Sequence, residues 1–173
     1  MDLLQHAKES YTHEFERRNE LRRALGLPVS IAVVFAGAQF SLFRAFPWGF
    51  TESAIEIVFG VTWSAAVLSW IALVVFLIWG HVGHPYAYIA TPRELRDYRK
   101  KLAEHNDTSI SDEKSNAELE QFLEAEYADN AHHTSIKNDK KSVFLHRANQ
   151  ALVVSLLFTP LSGSIVLVTD LCE

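Results

Sequence analysis

Arg99 and His105 stand six residues apart, which places a phosphate-binding cation and an acid–base group in one short segment. A guanidinium stabilises charge on a phosphate, and an imidazole exchanges protons near neutral pH. The pair therefore makes cleavage of RNA one hypothesis. No glycine-rich phosphate loop, nucleophile elbow or cysteine-based metal site accompanies it, so the sequence favours a protein that is not an enzyme and that uses no cofactor.

His81 and His84 are spaced so that both could bind one metal ion if a third ligand converged on them. No such ligand follows at a suitable spacing. Their neighbours Trp79 and Tyr86 are typical of the headgroup layer of a membrane, where histidines are solvated. Cys172 is the single cysteine and cannot form an intrachain disulfide. We therefore expect no metal site.

Five basic residues lie within nine positions in the middle of the chain. Such a cluster can hold a phosphate group or an acidic partner, and it can equally anchor a helix end at anionic headgroups. The net charge of −5 argues against a broad nucleic-acid surface. The basic cluster consists of Arg93, Arg96, Arg99, Lys100 and Lys101.

Three uncharged apolar runs must position these groups: Ala24–Phe43, Ile57–Gly80 and Ala148–Thr169. Each has about the 20 residues that a helix needs to cross a bilayer. The sequence thus predicts an all-α membrane protein with three transmembrane helices, an N-terminal amphipathic helix and a cytoplasmic helical layer. Because Pro160 and Gly163 interrupt the third run, a two-span arrangement is the alternative.

Lysine and arginine concentrate before the first run, after the second and before the third. Only Arg44 lies between the first two runs, and no basic residue follows the third. The positive-inside rule then predicts a cytoplasmic N-terminus and an external C-terminus. Four segments follow: an N-terminal cytoplasmic helix (1–26), a transmembrane hairpin (27–82), a cytoplasmic helical region (83–147), and a third span with a short external tail (148–173).

Local patterns predict where the helices begin and end. Gly26-Leu27-Pro28 should break the chain after the N-terminal helix. Thr91-Pro92-Arg93-Glu94 has the residue types of a helix start, and the helix should reach Glu104. The turn-type composition of His105–Asn116 predicts a loop. A long helix capped by Ser111 should then continue into the third span, with a weak point at Thr134–Asn138.

Small and polar residues share one face of each apolar run. Such faces allow close helix packing and hydrogen bonds between helices, or they line a pore. Because charged residues are absent from the middle of the runs, a transporter with a charged binding site is disfavoured. The faces consist of Ser30, Gly37 and Ser41; Thr62, Ala66 and Ser69; and Ser155, Thr159 and Ser162.

The segments FERRNELRRALG and YIATPRELRDYRKKL flank a tight two-helix hairpin, and the stretch Tyr11–Leu102 resembles the SLATT-type membrane modules of bacterial defence systems. The resemblance implies a self-associating module of the bacterial inner membrane that perforates or depolarises it when infection is detected. This chain adds a third span and contains no recognisable nucleotide-sensor domain. Arg99 and His105 in turn resemble the R-x5-H spacing of HEPN-type ribonucleases.

Together these observations predict a homo-oligomeric inner-membrane effector of antiviral defence that forms a pore or depolarises the membrane. Its cytoplasmic layer would receive a protein partner or an anionic ligand. A non-conducting membrane anchor that recruits a cytoplasmic partner is the alternative, and a membrane-tethered HEPN-like ribonuclease is the third hypothesis.

Overall fold

The computed structural model describes residues 3–49, 53–82, 86, 88–105 and 111–172, and every regular element in these ranges is an α-helix. No strand occurs in them. The helices are α1 (Leu3–Ala24), α2 (Gly26–Ala45), α3 (Ser53–His81), α4 (Pro92–His105) and α5 (Ser111–Cys172).

Three helical stretches are long and apolar enough to cross a membrane. They contain α2, α3 and the C-terminal part of α5, which carry the three apolar runs. The predicted all-helical class with three candidate spans is therefore confirmed.

The breaks between helices differ slightly from those predicted. α1 ends at Ala24 and α2 begins at Gly26, and Leu25 between them has helical backbone angles, so the helical path continues through the predicted break. Pro28 lies in the first turn of α2, where no backbone donor is needed. α5 begins at Ser111 and passes through Thr134–Asn138 without interruption. His105 and the stretch from Ser111 to Asn116, predicted as loop, are therefore helical, and residues 106–110 lie outside the described ranges.

The chain divides into two compact units. The polar unit comprises Met1–Glu20 and His84–Asp139, and the apolar unit comprises Leu21–Gly83 and Lys140–Glu173. α1 and α5 each contribute residues to both.

Two small hydrophobic clusters form the core of the apolar unit. One is centred on the fully buried Leu73 and Ala148, and the other contains Phe59, whose ring stacks on Phe46 with centroids 4.0 Å apart. The indole of Trp70 donates a hydrogen bond to the Ala32 carbonyl at 2.7 Å, which joins α3 to α2. These contacts hold the apolar runs of α2, α3 and α5 together.

Large apolar side chains cover the outside of the apolar unit. Val33 is 70% exposed, Leu68 is 66% exposed and Leu157 is 61% exposed. A soluble helix would present polar residues on such a face. The exposed apolar surface is the kind that hydrocarbon covers in a bilayer.

A capping box begins α4, as the sequence predicts. The Thr91 hydroxyl and backbone N–H both donate to the Glu94 carboxylate, at 2.8 and 2.7 Å, and the Glu94 N–H donates back to the Thr91 hydroxyl at 3.4 Å. The backbone hydrogen bond from Thr91, followed by the hydroxyl bond, lowers the pKa of Glu94 from its ordinary value of 4.5.

This capping box predicts that the start of α4 frays in acid. Because folding lowers the pKa of Glu94, the stabilisation is present above pH 4.5 and is lost as the pH falls through the lower, folded pKa. The Thr91 amide proton resonance in micelles should shift in that range. Glu94→Gln keeps an acceptor without a titrating charge, so a persisting acid transition in this variant would contradict the assignment.

Candidate functional site

Polar side chains from all three apolar helices meet inside the apolar unit. The Gln39 amide of α2 donates to the Thr159 hydroxyl of α5 at 2.7 Å, and Thr159 donates to the Ser155 carbonyl at 2.8 Å. The Ser162 hydroxyl lies 3.3 Å from the Thr62 hydroxyl of α3. We call these five residues, Gln39, Thr62, Ser155, Thr159 and Ser162, the polar seam.

Four of the five residues of the polar seam are buried, and the fifth, Thr62, is half-buried. Ser155 and Ser162 have no exposed surface, Gln39 is 5% exposed and Thr159 is 8% exposed. Two of its atoms, Gln39 Oε1 and Ser155 Oγ, have no hydrogen-bond partner among the described residues. Each buried polar atom left in this way costs about 1–3 kcal/mol. The seam is therefore less favourable than an apolar packing of the same helices would be.

The structure divides the three predicted small-residue faces between two environments. The faces of α3 and α5 point inward, with Ala66, Ser155 and Ser162 fully buried. Ser30, Gly37 and Ser41, by contrast, are all exposed. A Cβ atom added at Gly37 would meet no other atom within 4 Å. We call Ser30, Gly37 and Ser41 the exposed stripe, and it is available to a second molecule.

Sequence reasoning identified the three seam residues of α5 and Thr62 of α3 but assigned no position to Gln39. The available signal was a strongly polar side chain within an apolar run. Such a side chain must face protein or water because hydrocarbon offers it no hydrogen bond. Its partner, Thr159, lies 120 residues away and could not be chosen from the sequence.

The basic cluster lies on α4 in the polar unit, and all five side chains are exposed. Arg93, Arg96 and Lys100 share one face through three- and four-residue spacings, whereas Arg99 and Lys101 lie elsewhere around the helix. Lys101 borders a shallow cavity of about 380 Å³. The cluster thus offers one three-residue cationic face, and its role in binding stays a prediction.

The two candidate chemical pairs, Arg99 with His105 and His81 with His84, each include a histidine whose side chain lies outside the described residues. α4 ends at His105, whose side chain lies outside the described residues, as does the whole of His84. The positions of Arg99 and His105 lie about 120° apart around the helix axis. Among the described residues, no group of three or more histidine, cysteine, aspartate or glutamate side chains could hold a metal ion.

A buried asparagine joins three segments of the polar unit. Asn138 of α5 has no exposed surface, and its amide donates to the backbone carbonyl of Glu14 at 2.8 Å and to the Glu14 carboxylate at 2.9 Å. Its own carbonyl accepts a hydrogen bond from the Tyr86 hydroxyl at 3.3 Å. Arg17 then pairs with Asp139 at 2.7 Å. The contacts bind α1 to α5 within this unit.

Aromatic rings surround the neighbouring arginine of α1. The Arg18 guanidinium lies 4.0 Å from the Phe15 ring centroid and 4.9 Å from that of Tyr86. Burial raises the pKa of Tyr11, an effect that nearby Arg18 partly opposes, and the hydrogen bond to Asp139 raises the pKa of Arg17. Both shifts favour the protonation state found at neutral pH, so these two groups provide no switch near pH 7.

No known protein family matches the chain, and no curated protein or solved structure matches it either.

Proposed function

We propose that this protein is a self-associating inner-membrane effector of bacterial defence that depolarises the membrane when its cytoplasmic helices receive a partner or signal. The observation that carries the proposal is the polar seam, in which all three apolar helices contribute hydrogen-bonding side chains. In a helix bundle that serves only for tight packing, the buried polar atoms are expected to have hydrogen-bond partners.

The seam suggests how a closed bundle could become a conducting one. Gln39 Oε1 and Ser155 Oγ lack partners in the closed arrangement, and water would supply hydrogen bonds to both. Separation of α2 from α5 would expose hydroxyl and amide groups of the kind that line polar pores. The cost of the closed seam therefore lowers the free energy needed to open it.

The exposed stripe supports self-association. Its small side chains allow a second helix to approach closely, which is how many membrane helices associate without a hydrophobic driving force. The cationic face of α4 is the proposed input site for an acidic partner or anionic ligand. We also propose that the N-terminus lies in the cytoplasm and that the C-terminus lies on the external side of the membrane.

A non-conducting anchor is the second candidate, and the hydrogen bond between Gln39 and Thr159 favours it. At 2.7 Å this bond links α2 directly to α5, and a permanently closed bundle would keep it. In that case the polar unit would recruit a cytoplasmic partner and the spans would only hold it at the membrane.

A dye assay in vesicles of phosphatidylcholine and phosphatidylglycerol separates the two functions. The purified full chain should dissipate a potassium diffusion potential once a cytoplasmic extract from infected cells supplies its partner or signal. Gln39→Met keeps the side-chain length and removes both the unpaired acceptor and the hydrogen bond to Thr159. Because an unpaired buried acceptor costs about 1–3 kcal/mol and a hydrogen bond contributes only about 0.5–1.5 kcal/mol, the closed state should be stabilised and dissipation slowed about fivefold. Gln150→Met makes the same change at an exposed position of α5 and should behave as wild type.

Vesicles that hold their potential with wild-type protein, both alone and with a cytoplasmic extract from infected cells, would favour the anchor. Equal slowing by Gln39→Met and Gln150→Met would mean that the seam is not the conducting element.

A further inference from the structure

An apolar groove of about 540 Å³ runs between α2 and α3 in the apolar unit. Val29, Val33 and Ala36 line one side, and Trp70 and Leu77 line the other. Val33 is 70% exposed and Val29 is 48% exposed, so the groove opens to the outer surface of the helices. In a bilayer this surface faces lipid, and the volume lies in the ~300–1,000 Å³ range of small-molecule sites.

The ring of Trp70 contributes only apolar surface to the groove. Its indole N–H is already donated to the Ala32 carbonyl at 2.7 Å, so it has no donor to offer a ligand. The middle of the groove therefore suits a hydrocarbon chain.

One end of the groove is different because it meets polar and basic groups. His81, the last residue of α3, lines this end together with Leu25. Leu25 has helical backbone angles, φ −72° and ψ −22°, and its carbonyl accepts the Val29 N–H at 3.2 Å. The helical path thus continues from α1 into α2.

That continuity places Arg22 on the face of the helix that lines the groove. Arg22 precedes Leu25 by three residues and Val29 by seven, which are spacings of one helical face. Arg23 is turned about 100° away from it. Both arginines are exposed, and neither forms an ion pair with a described residue. Arg22 is not one of the residues that line the groove, but this spacing puts its cation about one helical turn beyond the Leu25 end, which His81 also lines and where His81 supplies an N–H donor.

We propose that this groove is a binding site for one anionic phospholipid. An acyl chain would lie along the groove against Trp70, and the headgroup phosphate would be held by Arg22 and His81. Charge complementarity selects this occupant, because a zwitterionic headgroup carries its own cation beside the phosphate, which weakens its net attraction to Arg22, and an apolar helix of a second copy brings no anion. The site is independent of the depolarising activity proposed above.

Quenching of Trp70 fluorescence tests the site directly. The full chain with Trp48, Trp63 and Trp79 changed to phenylalanine would be placed in vesicles containing either dibrominated phosphatidylglycerol or dibrominated phosphatidylcholine, with the other lipid unbrominated. We expect the phosphatidylglycerol to bind at the groove about fivefold more strongly. Arg22→Gln should reduce that ratio towards one, whereas Arg23→Gln, which removes the same charge from another face, should retain it.

Equal quenching by the two brominated lipids in the parent protein would overturn the proposal. Equal losses in the two arginine variants would also overturn it, because they would indicate general attraction to a charged surface. Protection of Trp70 from both lipids would mean that a second copy fills the groove.

Native mass spectrometry of the four-tryptophan protein is the second measurement. Wild type and Arg23→Gln should retain one phosphatidylglycerol per chain after detergent exchange, and Arg22→Gln should lose it.

Discussion

Gly37→Leu is expected to convert the proposed homo-oligomer into single chains while leaving each chain folded. Nothing lies within 4 Å of the position of its Cβ atom, so the chain itself has room for a larger side chain. A second helix packed on the exposed stripe would instead be held away by the leucine. We expect association to weaken about tenfold or more, which is a loss of at least about 1.4 kcal/mol. Size-exclusion chromatography with light scattering in mild detergent measures it.

Gly60→Leu is the matched control. Gly60 lies in α3 and likewise has no atom within 4 Å of its Cβ position, but it does not belong to the exposed stripe. This variant should keep the wild-type mass. If Gly37→Leu also keeps it, protomers do not meet on the stripe, and the self-association proposed here would need another surface.

Asn138→Leu is expected to release α1 from α5 within the polar unit. The substitution removes two hydrogen bonds to Glu14 and one from Tyr86. It also leaves the carboxylate of Glu14, whose side chain is only 15% exposed, with fewer partners. The bond to the Glu14 carboxylate contributes about 1.5–3 kcal/mol and each of the two neutral bonds about 0.5–1.5 kcal/mol, so a total loss near 3 kcal/mol is expected.

Amide hydrogen exchange measures this release. A loss near 3 kcal/mol corresponds to exchange roughly 100-fold faster in the first four turns of α1. Asn130→Leu provides the comparison, because Asn130 is also buried but its amide bonds, among the described residues, go to Glu126 of its own helix, at 2.8 and 3.2 Å. Its effect on α1 should be small. Similar acceleration of α1 in both variants would show that Asn138 does not join the two helices.

Properties that depend on neighbouring residues could be predicted from the sequence. Chain length, hydropathy and the spacing of small residues define α2, α3 and the apolar end of α5, because a helix satisfies its own backbone hydrogen bonds and only the side chains must match the surroundings. The capping box of α4 is equally local, since Thr91 and Glu94 are three residues apart. The same local information suggested the face formed by Ser155, Thr159 and Ser162.

Only the tertiary structure decided which faces are buried and which polar groups meet. Gln39 pairs with a residue 120 positions away, and Asn138 pairs with one 124 positions away. No periodicity in a single helix can identify such partners, because they depend on how the helices are rotated against one another. The same rotation buries the small residues of α3 and α5 but leaves Gly37 exposed, since a helix that packs on two neighbours still presents its remaining face to the surroundings.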